Sequence, residues 1–506
     1  MSKNIFQYAV LICLCLFITA LTGEAQSNKV VRLIRADIQE FDASKGDMQR
    51  LLGNVQFEYQ GSLLYCDSAY LYNKTKDFDA YSNVSIRKGS DYNMVGEELH
   101  LDQKTKVATV QRNVVLRDKE MTLTTNYLLY NMDTEIAAYS GGGKIVSQKN
   151  NNTLTSTRGY YHSKSETFYF RDKVILKNPD YLVKCDTLQY NSISEISYFL
   201  GPTTIVGSGT NIYCENGMYD SRKDFYRFGK NAVVTSKSSV LKGDSIAYSG
   251  RTGIGEVFGN VMIRDTTENY QVNGDRGFYD EQKNFSWVTG HSYMTQYLDS
   301  DTLYMGADTL LSRQDSLERK IFYAYPNVKL FKSDMQGKSD SLVYSQADST
   351  IQMYVDPILW SDKSQITGDS ITIFSLNGKI DRMFVRKNSL VISQADETRF
   401  NRIEGRELTG YFLDNALQRV WIEGNGKLSY YPTDDKSVRP KVIGQNNGES
   451  SNIELFLIES KVARIKLHTA PSTVFTPISQ IDTSTNSEIN WRGDERPMSL
   501  EDVVGR

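Results

Sequence analysis

A short motif returns about every thirty residues along almost the whole chain, and a repeat of that period leaves few architectures open. It reads as polar residues, then a small or apolar residue, then an aromatic: Cys66-Asp67-Ser68-Ala69-Tyr70-Leu71-Tyr72. It recurs as Cys185-Asp186-Thr187-Leu188-Gln189-Tyr190, Gly243-Asp244-Ser245-Ile246-Ala247-Tyr248 and Gly274-Asp275-Arg276-Gly277-Phe278-Tyr279. Further copies are Ser339-Asp340-Ser341-Leu342-Val343-Tyr344 and Gly368-Asp369-Ser370-Ile371. Weaker copies fill the gaps, so that successive starts fall at 36, 66, 96, 125, 157, 185, 215, 243 and 274.

A second motif is interleaved with the first. Examples are Gly53-Asn54-Val55-Gln56-Phe57, Asn83-Val84-Ser85-Ile86, Asn113-Val114-Val115-Leu116 and Lys173-Val174-Ile175-Leu176. Gly and Asn tolerate positive φ, so each copy is expected to open with a tight turn between antiparallel strands. The residues that follow alternate with period two, which predicts a strand with one buried face. Val55 and Phe57 then face inward and Gln56 outward. A second turn is expected at Tyr130-Asn131-Met132-Asp133 and Tyr190-Asn191-Ser192. Each unit thus supplies about two strands, and the units run from Val30 to about His468. With 32 Tyr and only 9 Pro, the composition suits pleated, half-buried surfaces.

The polar stretch from Ser312 to Arg319 lengthens one repeat. A break is expected there, dividing residues 26–311 from 312–470. After Pro471 the repeat is lost, and 471–506 reads as a tail ordered against a partner.

The N-terminus reads as a secretory signal over residues 1–25. Lys3 gives the positive start, an apolar core runs from Tyr8 to Leu21, and Gly23-Glu24-Ala25 offers the small residues of a cleavage site. A retained anchor is the alternative. No later apolar run approaches the roughly twenty residues of a spanning helix. The net charge of -3 over 506 residues, with no basic block, argues against nucleic acid. Cleavage leaves Cys66, Cys185 and Cys214. The odd count excludes a full disulfide framework and allows one optional bridge.

Catalytic signatures are missing from the sequence. The four histidines are scattered, and no HExxH, CxxC or GxSxG pattern occurs. No metal, cofactor or catalytic residue is therefore expected, and the chain reads as non-enzymatic. Gly253–Gly259 and Gly141-Gly142-Gly143 read as glycine-rich strand and turn rather than phosphate loops. The recurrent Asp67, Asp186, Asp244, Asp275, Asp340 and Asp369 fit local turn bonding more simply than a calcium ladder. Arg492-Gly493-Asp494 reads as a chance tripeptide. The inward Val, Ile, Leu and Phe positions leave two options open: a closed core between two sheets, or an apolar groove between them.

The Asp-Ser-Leu-x-Tyr and Gly-Asn-Val-x-Ile signatures behind a signal peptide resemble the OstA-like family, which includes LptA and the N-terminal domain of LptD. The resemblance covers Val30 to Val206 well and continues more loosely to His468. The ending, Asn490-Trp491-Arg492 and Arg496-Pro497 with Asp502, is similar to that of long Bacteroidetes-type members. The resemblance implies an all-β, elongated β-jellyroll of sequential antiparallel strands. It implies a carrier of lipopolysaccharide for outer-membrane assembly, in the periplasm or associated with the outer membrane, touching membrane only through partners, with lipid A acyl chains in the apolar interior. It also implies partners of the Lpt type joined by edge-strand addition. The residues expected to contact acyl chains are Val55, Phe57, Val84, Ile86, Val114, Leu116, Val174 and Leu176. The competing expectations are a structural or adhesive cell-surface repeat protein without a lipid ligand, and a polysaccharide-active β-helix enzyme.

Overall fold

The computed structural model describes residues 32–505, apart from short segments at 43–47, 60, 89–91, 119–120, 148–151, 299–300, 377–378, 415, 435–440, 459–460 and 482–488. The expected signal segment lies outside the described residues. The chain is almost wholly β and forms a β-jellyroll of sequential antiparallel strands. It divides into two compact units: one runs to Lys237 and includes Gly243–Thr252, the other comprises Ser238–Lys242 and Gly253 onward. The expected break at residue 312 falls inside the second unit. There Thr302–Gln314 and Lys320–Tyr325 simply form a hairpin.

The first unit opens with β1 (Arg32–Arg35), β2 (Ile38–Asp42), β3 (Met48–Tyr59), β4 (Ser62–Tyr72), β5 (Phe78–Lys88), β6 (Tyr92–Asp102), β7 (Val107–Asp118) and β8 (Met121–Asn131). From β2 onward each pairs antiparallel with the next along the chain. Two such strands make one repeat, as the period predicts.

The reversals, however, are not where the Gly-Asn motif suggested. That motif lies in the middle of a strand. Gly53 and Asn54, with φ of +75° and +46°, form a bulge within β3. Leu52 pairs with Ser68 and Val55 with Cys66, so two residues oppose the single Asp67. Ser82-Asn83, Arg112-Asn113, Asp172-Lys173, Lys230-Asn231, Gly259-Asn260 and Lys387-Asn388 repeat the same left-handed pair. A two-against-one bulge bends a strand sharply, and a left-handed pair serves that purpose as well as it serves a turn. True reversals use polar segments such as Asn73–Asp77, Gln103–Lys106 and Ser192–Glu195. The expected turns at Asn131 and Asn191 belong to this class: each side chain accepts backbone N–H bonds from the residues that follow.

The Asp residues of the first motif hold these bends. Asp67 accepts from Asn83, Asp37 from Asn54, Asp369 from Asn388 and Glu215 from Asn231, at 2.7–2.9 Å. Asp275 meets His291 at 2.8 Å. The bonding is therefore cross-strand rather than local to a turn.

The bends divide the first unit into two sheets. The two ends of each strand pair separately: Met48–Leu52 of β3 pairs with Ser68–Tyr72 and with β2, whereas Val55–Tyr59 pairs with Ser62–Cys66 and with β1. The sheets face one another. Phe57, beyond the bend of β3, meets Phe78, before the bend of β5, edge to face at 4.9 Å. A Cβ on Gly96 of one sheet would lie 2.5 Å from Val110 of the other, so the sheets converge where the strands bend.

The second unit carries the same bulged strands and adds a third layer. Ser472–Pro477 is a strand paired with Gly444–Ile458, and residues 490–505 run back across the outer face of one sheet. Arg492 makes a two-pronged contact with Asp356 at 2.9 Å and also binds Glu495. Gln365 donates to Asn490 O and accepts from Arg492 N, while Arg496 donates to Gln336 and Asp362 O. The short helix Leu500–Val504, capped by Ser499, places Val503 against Gly306. Beneath this layer Trp360 is fully buried although it points away from the core. The segment expected to be a tail thus packs on its own chain, and Arg492 of the Arg-Gly-Asp tripeptide is engaged there.

Candidate functional site

The apolar interior of the first unit is built by a strict lateral register. Phe57 pairs with Leu64, Leu64 with Ile86, Ile86 with Met94, Met94 with Leu116 and Leu116 with Leu123. The same rung continues through Ile145, Leu154, Leu176, Val183 and Ile205. One rung nearer the bend the residues are smaller: Val55, Cys66, Val84, Gly96, Val114, Thr125, Val174 and Cys185. The gradient follows from the wedge. Small side chains fit where the sheets converge, and long aliphatic ones fill the wider space beyond.

All eight residues picked from the sequence lie on the inner face of this one sheet. Val55, Phe57, Val84, Val114, Val174 and Leu176 are buried, whereas Ile86 and Leu116 are half-buried. The sequence reading passed over Leu64, Met94, Leu123 and Leu154, which share their rung. It also passed over the opposing wall: Leu71, Leu101 and Tyr130. A usable signal was present, since an aliphatic residue sits three places before most acidic positions of the first motif, as Leu64 before Asp67 and Val183 before Asp186.

Exposure along the interior is uneven. Between β4 and β8 much of the outer rung is half-buried on both walls, at Leu64, Ile86, Met94 and Leu116 on one and Leu71, Leu101 and Tyr130 on the other, while Phe78 and Leu123 are buried. Farther along, at the strands Tyr181–Asn191 and Thr210–Asp220, the outermost inward residues Tyr181 and Tyr219 are buried. Burial, and the Tyr219 hydroxyl nearby, push the Tyr181 hydroxyl well above its usual range. The wedge is thus open to solvent at one end of the unit and filled by aromatics toward the other.

The three cysteines all occupy the inner rung next to the bend. Each is a free, buried thiol, so the optional bridge does not form. Burial pushes Cys66 and Cys185 up to about 12 and Cys214 to about 11. A thiol held protonated in this way is a poor nucleophile. Among the described residues no group of His, Cys, Asp and Glu is arranged to hold a metal ion, and no helix is long and apolar enough to cross a membrane.

The second unit differs in its interior. Met294, Met305, Leu330, Met353 and Met383 are all buried. The two sheets are pinned together by Lys320, which donates to Asp265 at 3.0 Å and to the Tyr270 hydroxyl at 3.2 Å. Tyr270 in turn packs edge to face on Phe322 at 5.3 Å.

Residues 28–186 match the OstA-like protein family. Residues 271–379 match the family of LptA and the LptD N-terminal domain, described as LPS transport proteins. Among solved structures, LptH of Pseudomonas aeruginosa, the LptA-homologous periplasmic component of its lipopolysaccharide transport device, aligns at 14% identity. That alignment covers 21% of this chain and 79% of LptH, with a TM-score of 0.20. No curated protein is similar enough to count as a relative. With two stretches of its repeat matching these related families, the chain is a member of the OstA-like family of lipopolysaccharide transport proteins.

Proposed function

We propose that this chain is a non-catalytic periplasmic carrier that binds lipopolysaccharide and shields its lipid A acyl chains inside the first unit during outer-membrane assembly. The observation that carries this reading is the half-open wedge between β4 and β8, walled by Leu64, Ile86, Met94 and Leu116 against Leu71, Leu101 and Tyr130. Apolar side chains left half-exposed along a concave wall lose hydration when an acyl chain covers them, at about 25 cal/mol per Å². Val55, Phe57, Val84, Val114, Val174 and Leu176 form the floor on which those chains would rest.

Edge strands supply the means of handing lipid onward. Among the described residues β1 and β2 pair on one side only, and Ile34, Ile38 and Phe41 are exposed there. A neighbouring Lpt-type protein would add a strand at that edge.

The test is a photo-crosslinking amino acid placed at Ile86, Leu116 or Leu101 in living cells. Lipopolysaccharide adducts are expected at these positions and not at outward Arg87 or Arg117. If every inward position failed to capture lipid, the carrier reading would fall. A surface adhesin would instead be digested when intact cells are treated with protease.

A further inference from the structure

Three neighbouring hairpins of the second unit end alike. They join Ser370–Leu376 to Lys379–Gln394, Phe400–Leu413 to Ala416–Tyr430, and Gly444–Ile458 to Lys461–His468. They lie side by side, because Arg382 pairs with Tyr411 and Arg419 with Phe456. Their tips therefore share one edge. Many corresponding reversals are polar, such as Asn73–Asp77, Gln103–Lys106, Ser221–Asp224, Glu281–Asn284 and Gln346–Ser349, although Ile193 and Leu317 stand exposed in two others. In these three, the last residue before the reversal is a large aliphatic: Leu376, Leu413 and Ile458, exposed by 63%, 65% and 66%.

One rung behind the tips, aromatics and arginines alternate across six strands. The row is Phe374, Arg382, Tyr411, Arg419, Phe456 and Arg464. Arg382 lies over Phe374 at 5.2 Å, Arg419 over Tyr411 at 5.3 Å and Arg464 over Phe456 at 4.3 Å. Each hairpin also has a register slip at this rung, at Phe374/Ser375, Tyr411/Phe412 and Phe456/Leu457. Such slips re-aim the residues beyond them. The acidic neighbours are answered: Asp414 by Lys379 at 2.6 Å, Asp381 by Arg382 at 3.7 Å, and Glu454 by Arg419 at 2.8 Å with Lys466 at 3.8 Å. Glu459 in the third tip lies outside the described residues.

From this arrangement we infer that the edge formed by Leu376, Leu413 and Ile458 rests on an anionic lipid surface. Three exposed aliphatic side chains in a row along one edge suit a deformable apolar layer rather than the pocket of a partner protein. Aliphatic tips with an aromatic and arginine belt one rung behind reproduce the layering of a membrane interface, where acyl chains lie beneath phosphates. Arginines lying along aromatic rings keep their guanidinium groups at headgroup depth. Arg464 and Lys466 add the attraction that an anionic leaflet supplies. This proposal does not depend on lipid entering the first unit.

The exported chain, lacking residues 1–25, would be floated with vesicles of phosphatidylcholine alone or mixed with phosphatidylglycerol, free of lipopolysaccharide. Binding is expected, stronger to the anionic vesicles. The triple variant Leu376→Asp, Leu413→Asp, Ile458→Asp should lower the bound fraction by at least about tenfold, with an unchanged urea midpoint because these side chains are exposed. The pair Arg382→Gln, Arg464→Gln should erase the preference for anionic vesicles. Failure of the native chain to float, or binding that survives the triple variant, overturns the proposal. So does tip-dependent self-association in sedimentation without vesicle binding, which would make the edge a contact between copies. Loss of flotation with Ile86→Asp but not with the tip variants would assign the binding to the interior instead.

Discussion

Asn83 donates its side-chain amide to the carboxylate of Asp67 at 2.8 Å, tying the left-handed residue of one strand to the residue it displaces on the next. The bond joins the two repeated motifs of the sequence to each other. It also offsets the cost of a positive φ, roughly 1–2 kcal/mol for most residues.

That relationship orders three substitutions at position 83. Asn83→Ala loses the bond and keeps the backbone penalty, so it should cost about 2 kcal/mol. Asn83→Gly loses only the bond and should cost less. Asn83→Val adds a β-branched side chain to a left-handed position and should be worst. Urea unfolding midpoints test the order, and Ala more stable than Gly would refute the account.

The interior predicts a split between two adjacent inward positions. Val84→Asp buries a carboxylate beside the bend and should destabilise the fold by about 3 kcal/mol or more. Ile86→Asp, on the half-buried rung, should leave the urea midpoint nearly unchanged and reduce lipopolysaccharide capture several-fold. Equal effects of the two on stability would show that the wedge is closed at Ile86.

The buried thiols predict both reactivity and alkaline behaviour. In the native protein at neutral pH, Cys66, Cys185 and Cys214 should react with maleimide at least about tenfold more slowly than free cysteine, and normally once unfolded. Their folded pKa values lie above the ordinary 9.0, at about 12, 12 and 11. The unfolded chain therefore loses these protons first. Stability from the neutral thiols is complete below pH 9 and falls as the pH rises toward 11 and 12. Replacing the three with alanine should flatten that limb of a stability-against-pH curve.

The third layer of the second unit predicts an acid-sensitive contact. Arg492 and Lys338 beside Glu495 hold its carboxyl down to about 2, from 4.5. The unfolded chain takes up this proton first on acidification. Stability from the contact is present above 4.5 and is lost as the pH falls toward 2. Arg492→Ala should cost about 1–3 kcal/mol and reduce that acid dependence, with Lys338 retaining the rest. Truncation after Ile481 should expose Trp360 and shift its fluorescence to the red.

Much of the fold was legible because the chain repeats itself. Period two after each Gly-Asn pair placed Val55 and Phe57 inward, and the thirty-residue step gave two strands per unit. The bends were misread as turns, since a left-handed pair satisfies both. The acidic partner sixteen residues earlier, as in Asp67 and Asn83, is the feature that separates them. The third layer escaped notice because it does not repeat. Its trace is Ile358-Leu359-Trp360, a run without alternation, which marks a strand covered on both faces. Openness of the interior has no such trace, because Ile86 and Leu176 occupy the same rung and differ only in what stands opposite.

The two-against-one bulge also sets the grain in which such a chain can grow. Along β3 and β5 the inward positions keep their parity through the bend, from Leu51 to Val55 and from Ala80 to Val84. Along β4 the parity flips, from Cys66 to Ala69. Odd and even strands therefore carry different numbering rules, and each is readable only against the other kind. A single strand gained or lost would set two strands of one kind side by side and turn half a sheet inside out. Only pairs of strands are exchangeable, which makes the thirty-residue repeat the smallest unit by which evolution can lengthen or shorten this protein.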